Sequence, residues 1–268
     1  MTKKIINTLN PEFAYELIAA IPYAYYLFVN NELQKTISAK LTEPLYYFSP
    51  DHEINPIPRS WGNTKRFKIS GIPNAQIHTP ILDTSQFIVP PYKEHFKNDV
   101  YKWEKPTICI CNRYNIEWKH PPINYFSLEI LEEMFKLLKD KFQIVYFGVD
   151  IIDEIQDSSH NLYLGDGELC KKYKEVILFQ DLLKSSNLTW NELLLRVYAN
   201  CKKYITMNGG YSILASYFGG TNLIYCKYSH EIDSNVNSFS WYHVFGNSNI
   251  IVVRTYKDLI DKIKCIYE

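Results

Sequence analysis

Lys202-Lys-Tyr-Ile-Thr-Met-Asn-Gly-Gly-Tyr-Ser-Ile-Leu-Ala-Ser-Tyr-Phe-Gly-Gly-Thr-Asn-Leu-Ile-Tyr-Cys226 decides how the chain folds. It reads as strand, turn, short helix, turn, strand. Tyr204, Ile205 and Thr206 are aromatic or β-branched, as strands prefer. Asn208-Gly209-Gly210 is a turn signal, because asparagine and glycine tolerate positive φ. Ile213, Leu214 and Tyr217 then recur at helical spacing until Gly219-Gly220 stops the helix. Leu223 to Cys226 resumes an apolar strand. A glycine turn between a strand end and a helix start lets a ligand approach the backbone, where unpaired N–H groups favour phosphate. The same glycines would also serve a tight turn that binds nothing.

Working outward, the second half alternates strands with helices. Pro106-Thr-Ile-Cys-Ile-Cys111 is a buried strand, and Ser127 caps a helix whose apolar face is Leu128, Leu131, Met134, Phe135 and Leu138. Gln143 to Phe147 is the next strand, ended by Gly148, and Glu175 to Phe179 another. Thr189 caps a helix with Glu192 in a capping box. Ile250 to Val253 and a helix from about Tyr256 to Ile266 close the chain. That alternation marks a parallel sheet with right-handed crossovers.

The first half is less regular. Lys3 to Leu9 reads as a strand. Pro11 suits the first position of a helix running through Glu12, Glu16, Leu17 and Ile21 to about Val29, with a bend at Pro22. Lys35 to Lys40 is a second strand. From Pro44 to Pro91 the text is irregular, with short strands expected at Leu45 to Phe48, Phe67 to Ile69 and Phe87 to Val89. The expectation is an α/β protein of two Rossmann-like lobes, residues 1–104 and 105–268, with a central cleft.

Composition narrows the function. Lys plus Arg and Asp plus Glu both number 29 in 268 residues, so no long-range attraction to nucleic acid or anionic membrane is expected. The 6 cysteines form no CxxC pair, which points to reduced thiols in a cytoplasmic protein. Phe13 to Val29 carries Glu16, Pro22 and several tyrosines and lacks an A-x-A cleavage pattern, so neither a signal peptide nor a membrane span is expected there.

Ile108-Cys-Ile-Cys-Asn-Arg113, Gln143-Ile-Val-Tyr-Phe-Gly148 and Tyr204-Ile-Thr-Met-Asn-Gly-Gly-Tyr-Ser212 together resemble the nucleotide-sugar lobe of GT-B-type glycosyltransferases. Asn10-Pro-Glu-Phe-Ala-Tyr-Glu-Leu17 looks like the acceptor-side loop and helix of these enzymes. The H-x-R-x-G-D motif of protein-type fucosyltransferases and the threonine–glycine phosphate motif of heptosyltransferases are absent. The resemblance implies transfer of a sugar from a nucleotide-diphosphate donor to a glycan or glycolipid, by inversion, without a metal or other cofactor. Another group transferase, such as a pyruvyltransferase, or a sugar- or nucleotide-binding protein without catalysis, would fit the same scaffold.

Residue roles follow. Asn112, Gly148 and Asn208, Gly209, Gly210, Tyr211 and Ser212 are the candidate donor-binding positions. Arg113, just past a strand, suits a departing diphosphate, because a guanidinium binds phosphates bidentately. A surface pairing with Glu117 is its structural alternative. Inversion needs a base, and Glu16, ahead of Glu12, is the candidate. Glu12 is placed to serve the helix dipole, whereas Glu16 among apolar neighbours would be costly without a polar partner or an open cleft. Asp166-Gly-Glu168 is a loose relative of the D-x-D metal motif of GT-A enzymes, but the preferred reading has no metal. Trp118, Trp241, Tyr242 and His243 are further ring-stacking candidates.

Overall fold

The computed structural model describes residues 3–60, 71–73, 85–116, 120–148, 162–229, 246 and 248–267. It is mixed α/β, with two sheets whose strand pairs are all parallel. Strands β1 (Lys4–Asn7), β2 (Leu33–Ala39) and β3 (His52–Asn55) form a three-stranded sheet in sequential order. The second sheet comprises β4 (Thr107–Cys111), β5 (Gln143–Phe147), β6 (Val176–Leu178), β7 (Lys203–Met207), β8 (Thr221–Tyr225) and β9 (Asn249–Val253). Its order is β6-β5-β4-β7-β8-β9. Counted from β4, this is the doubly wound dinucleotide-fold order, and the direction of winding reverses between β4 and β7.

Strand β4 explains the layering. Ile108 and Ile110 face one apolar cluster with Met134, Phe135 and Ile263. Cys109 and Cys111 face the other, with Leu194 and Tyr198. A parallel strand buried on both faces is apolar throughout rather than alternating, as Thr-Ile-Cys-Ile-Cys is. Helices α4 (Leu128–Leu138) and α9 (Tyr256–Tyr267) bury their apolar residues in the first cluster, and α7 (Trp190–Ala199) and α8 (Gly210–Ser216) in the second. Both predicted caps are present. Ser127 accepts from the Ile130 amide at 3.5 Å and Thr189 from the Glu192 amide at 3.4 Å.

The N-terminal helix departs from its expected form. It begins as α1 (Phe13–Tyr15), with Glu12 rather than Pro11 at the boundary, passes through a π-helical segment (Glu16–Ala20), and continues as α2 (Ile21–Val29). The wide turn stands directly before Pro22, where the ring would otherwise press on the carbonyl one turn back. Leu9 and Asn10 have φ of 58° and 50°, so β1 ends at Asn7, short of the expected Leu9. Leu45 lies in a 3₁₀ turn (Glu43–Tyr46) instead of a strand, and Phe87 to Val89 forms no strand. Phe67 to Ile69 lies outside the described residues. Helix α3 (Tyr92–Phe96) lies between the sheets in sequence, and α5 (Asp166–Cys170) and α6 (Phe179–Lys184) flank β6.

The two sheets share a core. The cluster on the Cys109 side also contains Leu17, Ile21, Leu45 and Tyr92. Tyr217 Oη donates to the Leu17 carbonyl at 3.1 Å, and Asn191 Nδ2 to the Leu41 carbonyl at 2.6 Å. Among the described residues no helix is long and apolar enough to cross a membrane.

Candidate functional site

Cys111 pairs with Thr206 across the β4–β7 ladder, so Asn112-Arg113 and Asn208-Gly209 leave the sheet side by side. This is the crevice outside the strand ends where open α/β sheets bind ligands. Gly209 has φ 146° and ψ −171°, a conformation essentially confined to glycine. Gly210 is glycine for another reason: a Cβ there would stand 2.7 Å from Phe13 Cδ1, on the N-terminal helix. The Asn208 amide is spent on the Tyr225 carbonyl at 3.0 Å. The amides of Gly209 and Gly210 have no acceptor among the described residues.

Arg113 is half-buried, and its guanidinium has no hydrogen-bond or ion-pair partner among the described residues, with Nε fully enclosed. A buried donor on a fixed charge is costly to leave unpaired, and an anion is the kind of group that would satisfy it. Glu117 lies outside the described residues.

Two predicted donor contacts serve the scaffold instead. The Asn112 side chain donates to the Phe126 carbonyl at 3.0 Å and accepts from the Phe126 amide at 2.8 Å and the Arg113 amide at 3.0 Å. Its amide thereby fixes Arg113 and the approach to α4 rather than facing a ligand. Ser212 is fully buried in a polar cluster with Asn222, Ser216 and Thr206 beneath the turn. Tyr211 is buried too, its ring edge-on to Phe13 at 6.3 Å.

Gly148 lines a pocket of about 260 Å³ at the ends of β5 and β6, together with Tyr146, Asp166, Leu178, Gln180 and Lys184. Tyr146 Oη donates to Asp166 Oδ2 at 2.5 Å. Burial, reinforced by the Asp166 charge, pushes the Tyr146 hydroxyl well above its usual pKa, so it remains a donor. A side chain on Gly148 would collide with this pair. Gln180 Nε2 donates to the Gly148 carbonyl at 2.9 Å, and its buried Oε1 has no partner among the described residues. Sequence reading missed Gln180, which stands in no motif, and gave Tyr146, inside β5, no role of its own. Of the two carboxylates in the metal alternative, Asp166 accepts from Tyr146 and exposed Glu168 pairs with Lys171 at 2.6 Å; no group of three or more His, Cys, Asp or Glu placed to hold a metal occurs among the described residues.

On the N-terminal side Glu16 is 0% exposed. It is ion-paired with Arg59, whose side chain is 7% exposed, and accepts from Tyr46 Oη at 2.8 Å. Burial and the Glu16 charge raise the Tyr46 pKa far above normal, which keeps that hydroxyl a donor. The polar partner that Glu16 required is therefore present, and the open cleft is not. Glu12 is exposed, one residue before the Phe13 ring that rests on Gly210. Trp118, Trp241, Tyr242 and His243 lie outside the described residues.

No family model matches the sequence, and no curated protein matches it. The structure is similar to E. coli ADP-heptose lps heptosyltransferase II, at 11% identity and a TM-score of 0.51 over 98% of each chain. The chain shares its fold with that heptosyltransferase. E. coli heptosyltransferase WaaC with ADP (12% identity, TM-score 0.43, 100% of this chain and 72% of that one) also matches. So does a family 9 glycosyl transferase from Veillonella parvula DSM 2008 (10% identity, TM-score 0.46, 99% and 89%). At such identities the likeness concerns fold alone.

Proposed function

We propose that the chain is a metal-independent, inverting glycosyltransferase of two-lobed GT-B arrangement, dividing near Glu104. Its donor is a nucleotide-diphosphate sugar and its acceptor a glycan or glycolipid. The observation that carries the reading is the Arg113 guanidinium, without a partner among the described residues, beside the Asn208–Gly210 turn, where the strand order reverses. A nucleotide lying across the strand ends would place its base and ribose in the Gly148 pocket and its diphosphate between β4 and β7. Strands β6 and β7 are three positions apart, which is roughly 14 Å at about 4.8 Å per strand. An extended nucleoside diphosphate is of that scale.

Glu12 rather than Glu16 is the proposed base. It takes the proton of the acceptor hydroxyl as that oxygen bonds to the anomeric carbon. The bond from the anomeric carbon to the diphosphate breaks, and the leaving group departs with the electron pair. Arg113 and the Gly209 and Gly210 amides stabilise the charge that grows on it.

A thermal-shift screen with ADP, GDP, UDP and CDP tests the donor assignment. A specific nucleotide at a hundred times its Kd should stabilise the fold by about 2.7 kcal/mol and raise Tm by several degrees. No shift with any of the four would refute the reading.

A further inference from the structure

Arg59 is not part of the turn or the pocket described above, yet it touches both neighbours of Glu12. Its Nη1 donates to the Pro11 carbonyl at 3.0 Å, and its guanidinium carbon stands 5.4 Å from the centre of the Phe13 ring. Its other terminal nitrogen pairs with buried Glu16. Next along the chain, the Ser60 amide donates to the Asn10 carbonyl at 3.1 Å, and Asn10 Nδ2 returns to the Asn55 carbonyl at 2.9 Å and to that of Ile57. The segment after β3 thus grips the segment after β1 at several points around Glu12. Leu9 and Asn10 both hold positive φ, which non-glycine residues adopt only when surroundings over-determine them. On its far side Phe13 leaves no room for a Cβ on Gly210.

We propose that Arg59 is a positioning residue for the transfer reaction, an inference that rests on Glu12 being the base. Arg59 fixes Pro11 and Phe13, so that Glu12, between them, is held at a set distance from the Gly209–Gly210 turn. Glu16 and Tyr46 anchor Arg59 from below. The π-helical segment begins at Glu16. Lysine cannot replace Arg59, because one ammonium on a flexible stem cannot hold Glu16 and the Pro11 carbonyl in fixed, divergent directions.

The test uses Arg59→Lys and Arg59→Ala in the full chain. Folding is checked by circular dichroism and melting. Nucleoside-diphosphate binding is measured by calorimetry with ADP, GDP, UDP and CDP, and turnover as the nucleoside diphosphate released from the corresponding nucleotide sugars. Arg59→Lys should lower kcat by about a hundredfold, the scale of an ångström misplacement, while donor KM and nucleotide Kd stay unchanged. Added guanidinium should restore part of the turnover of Arg59→Ala. Hydrogen exchange should quicken at the Tyr15 and Glu16 amides, which bond back to the Glu12 carbonyl at 3.0 and 3.2 Å. Unchanged kcat in the lysine variant, or kcat and nucleotide affinity falling together, would overturn the proposal. If the wild type binds none of the four nucleotides, the donor reading fails separately. Exchange then decides alone whether Arg59 holds the loop: faster exchange sustains that hold, and unchanged exchange overturns it.

Discussion

The turn after β7 and the loop after β1 do comparable jobs by opposite means. Both leave the carboxyl end of a parallel strand and lead into a helix. The first relies on what its residues lack: Gly209 reaches φ 146°, and Gly210 makes way for Phe13. The second relies on added contacts, with Asn10 and Arg59 holding a backbone of two non-glycine residues at positive φ. A turn of glycines presents backbone N–H groups, which suit a diphosphate. A clamped loop presents one side chain, which suits proton transfer. Under the proposed function, the difference separates a binding surface from a chemical group.

If that division holds, the largest effect belongs to Glu12. Glu12→Gln should cut turnover by about 10²- to 10⁴-fold, the usual worth of a general base, with nucleotide binding intact. Steady-state kinetics with calorimetry on the same sample would check this, and a fully active variant would place the base elsewhere. Arg113→Ala sharpens the donor side. Its turnover should drop by about a hundredfold, since leaving-group charge grows toward the transition state, and wild-type turnover in that variant would exclude the role.

Glu16→Gln probes the clamp rather than the chemistry. The substitution leaves Arg59 buried without its counter-charge, which costs about 3–5 kcal/mol when one partner of a buried pair is removed. Chemical denaturation should reveal this loss; a variant as stable as wild type would mean the pair is not an anchor. The smallest effect is expected from chelation. Because the Asp166 carboxylate is taken by Tyr146 and that of Glu168 by Lys171, EDTA should leave turnover unchanged. A chelator-sensitive enzyme would revive the Asp166–Glu168 metal alternative.

What could be read from sequence follows the same contrast. The six-stranded sheet was legible because its inner strands are buried on both faces and its elements are bounded by caps and glycines, all of them local signals. The Asn208–Gly210 turn and Arg113 stood out in the same way, by type and by place after a strand. Asn112 and Ser212 were read as ligand contacts because they occupy that place too. Only tertiary structure reveals that Phe126 and Asn222 occupy them. The Glu16 environment was half legible. Its apolar neighbours demanded a partner, but Arg59 and Tyr46 lie 43 and 30 positions away, in a stretch with no periodicity. Gly148 was legible by its place after β5, but Gln180 was not, since it reaches the pocket from a different crossover.

The central claim is that the donor diphosphate lies against the backbone of Asn208 to Gly210, and Gly209→Val tests it most directly. A β-branched side chain disfavours the required φ and blocks the approach to the amides. Calorimetric titration of the nucleoside diphosphate that stabilises the wild type, into folded Gly209→Val, should give a clearly weaker Kd. Equal affinity in the two proteins would contradict the account and leave the glycines with a structural role only.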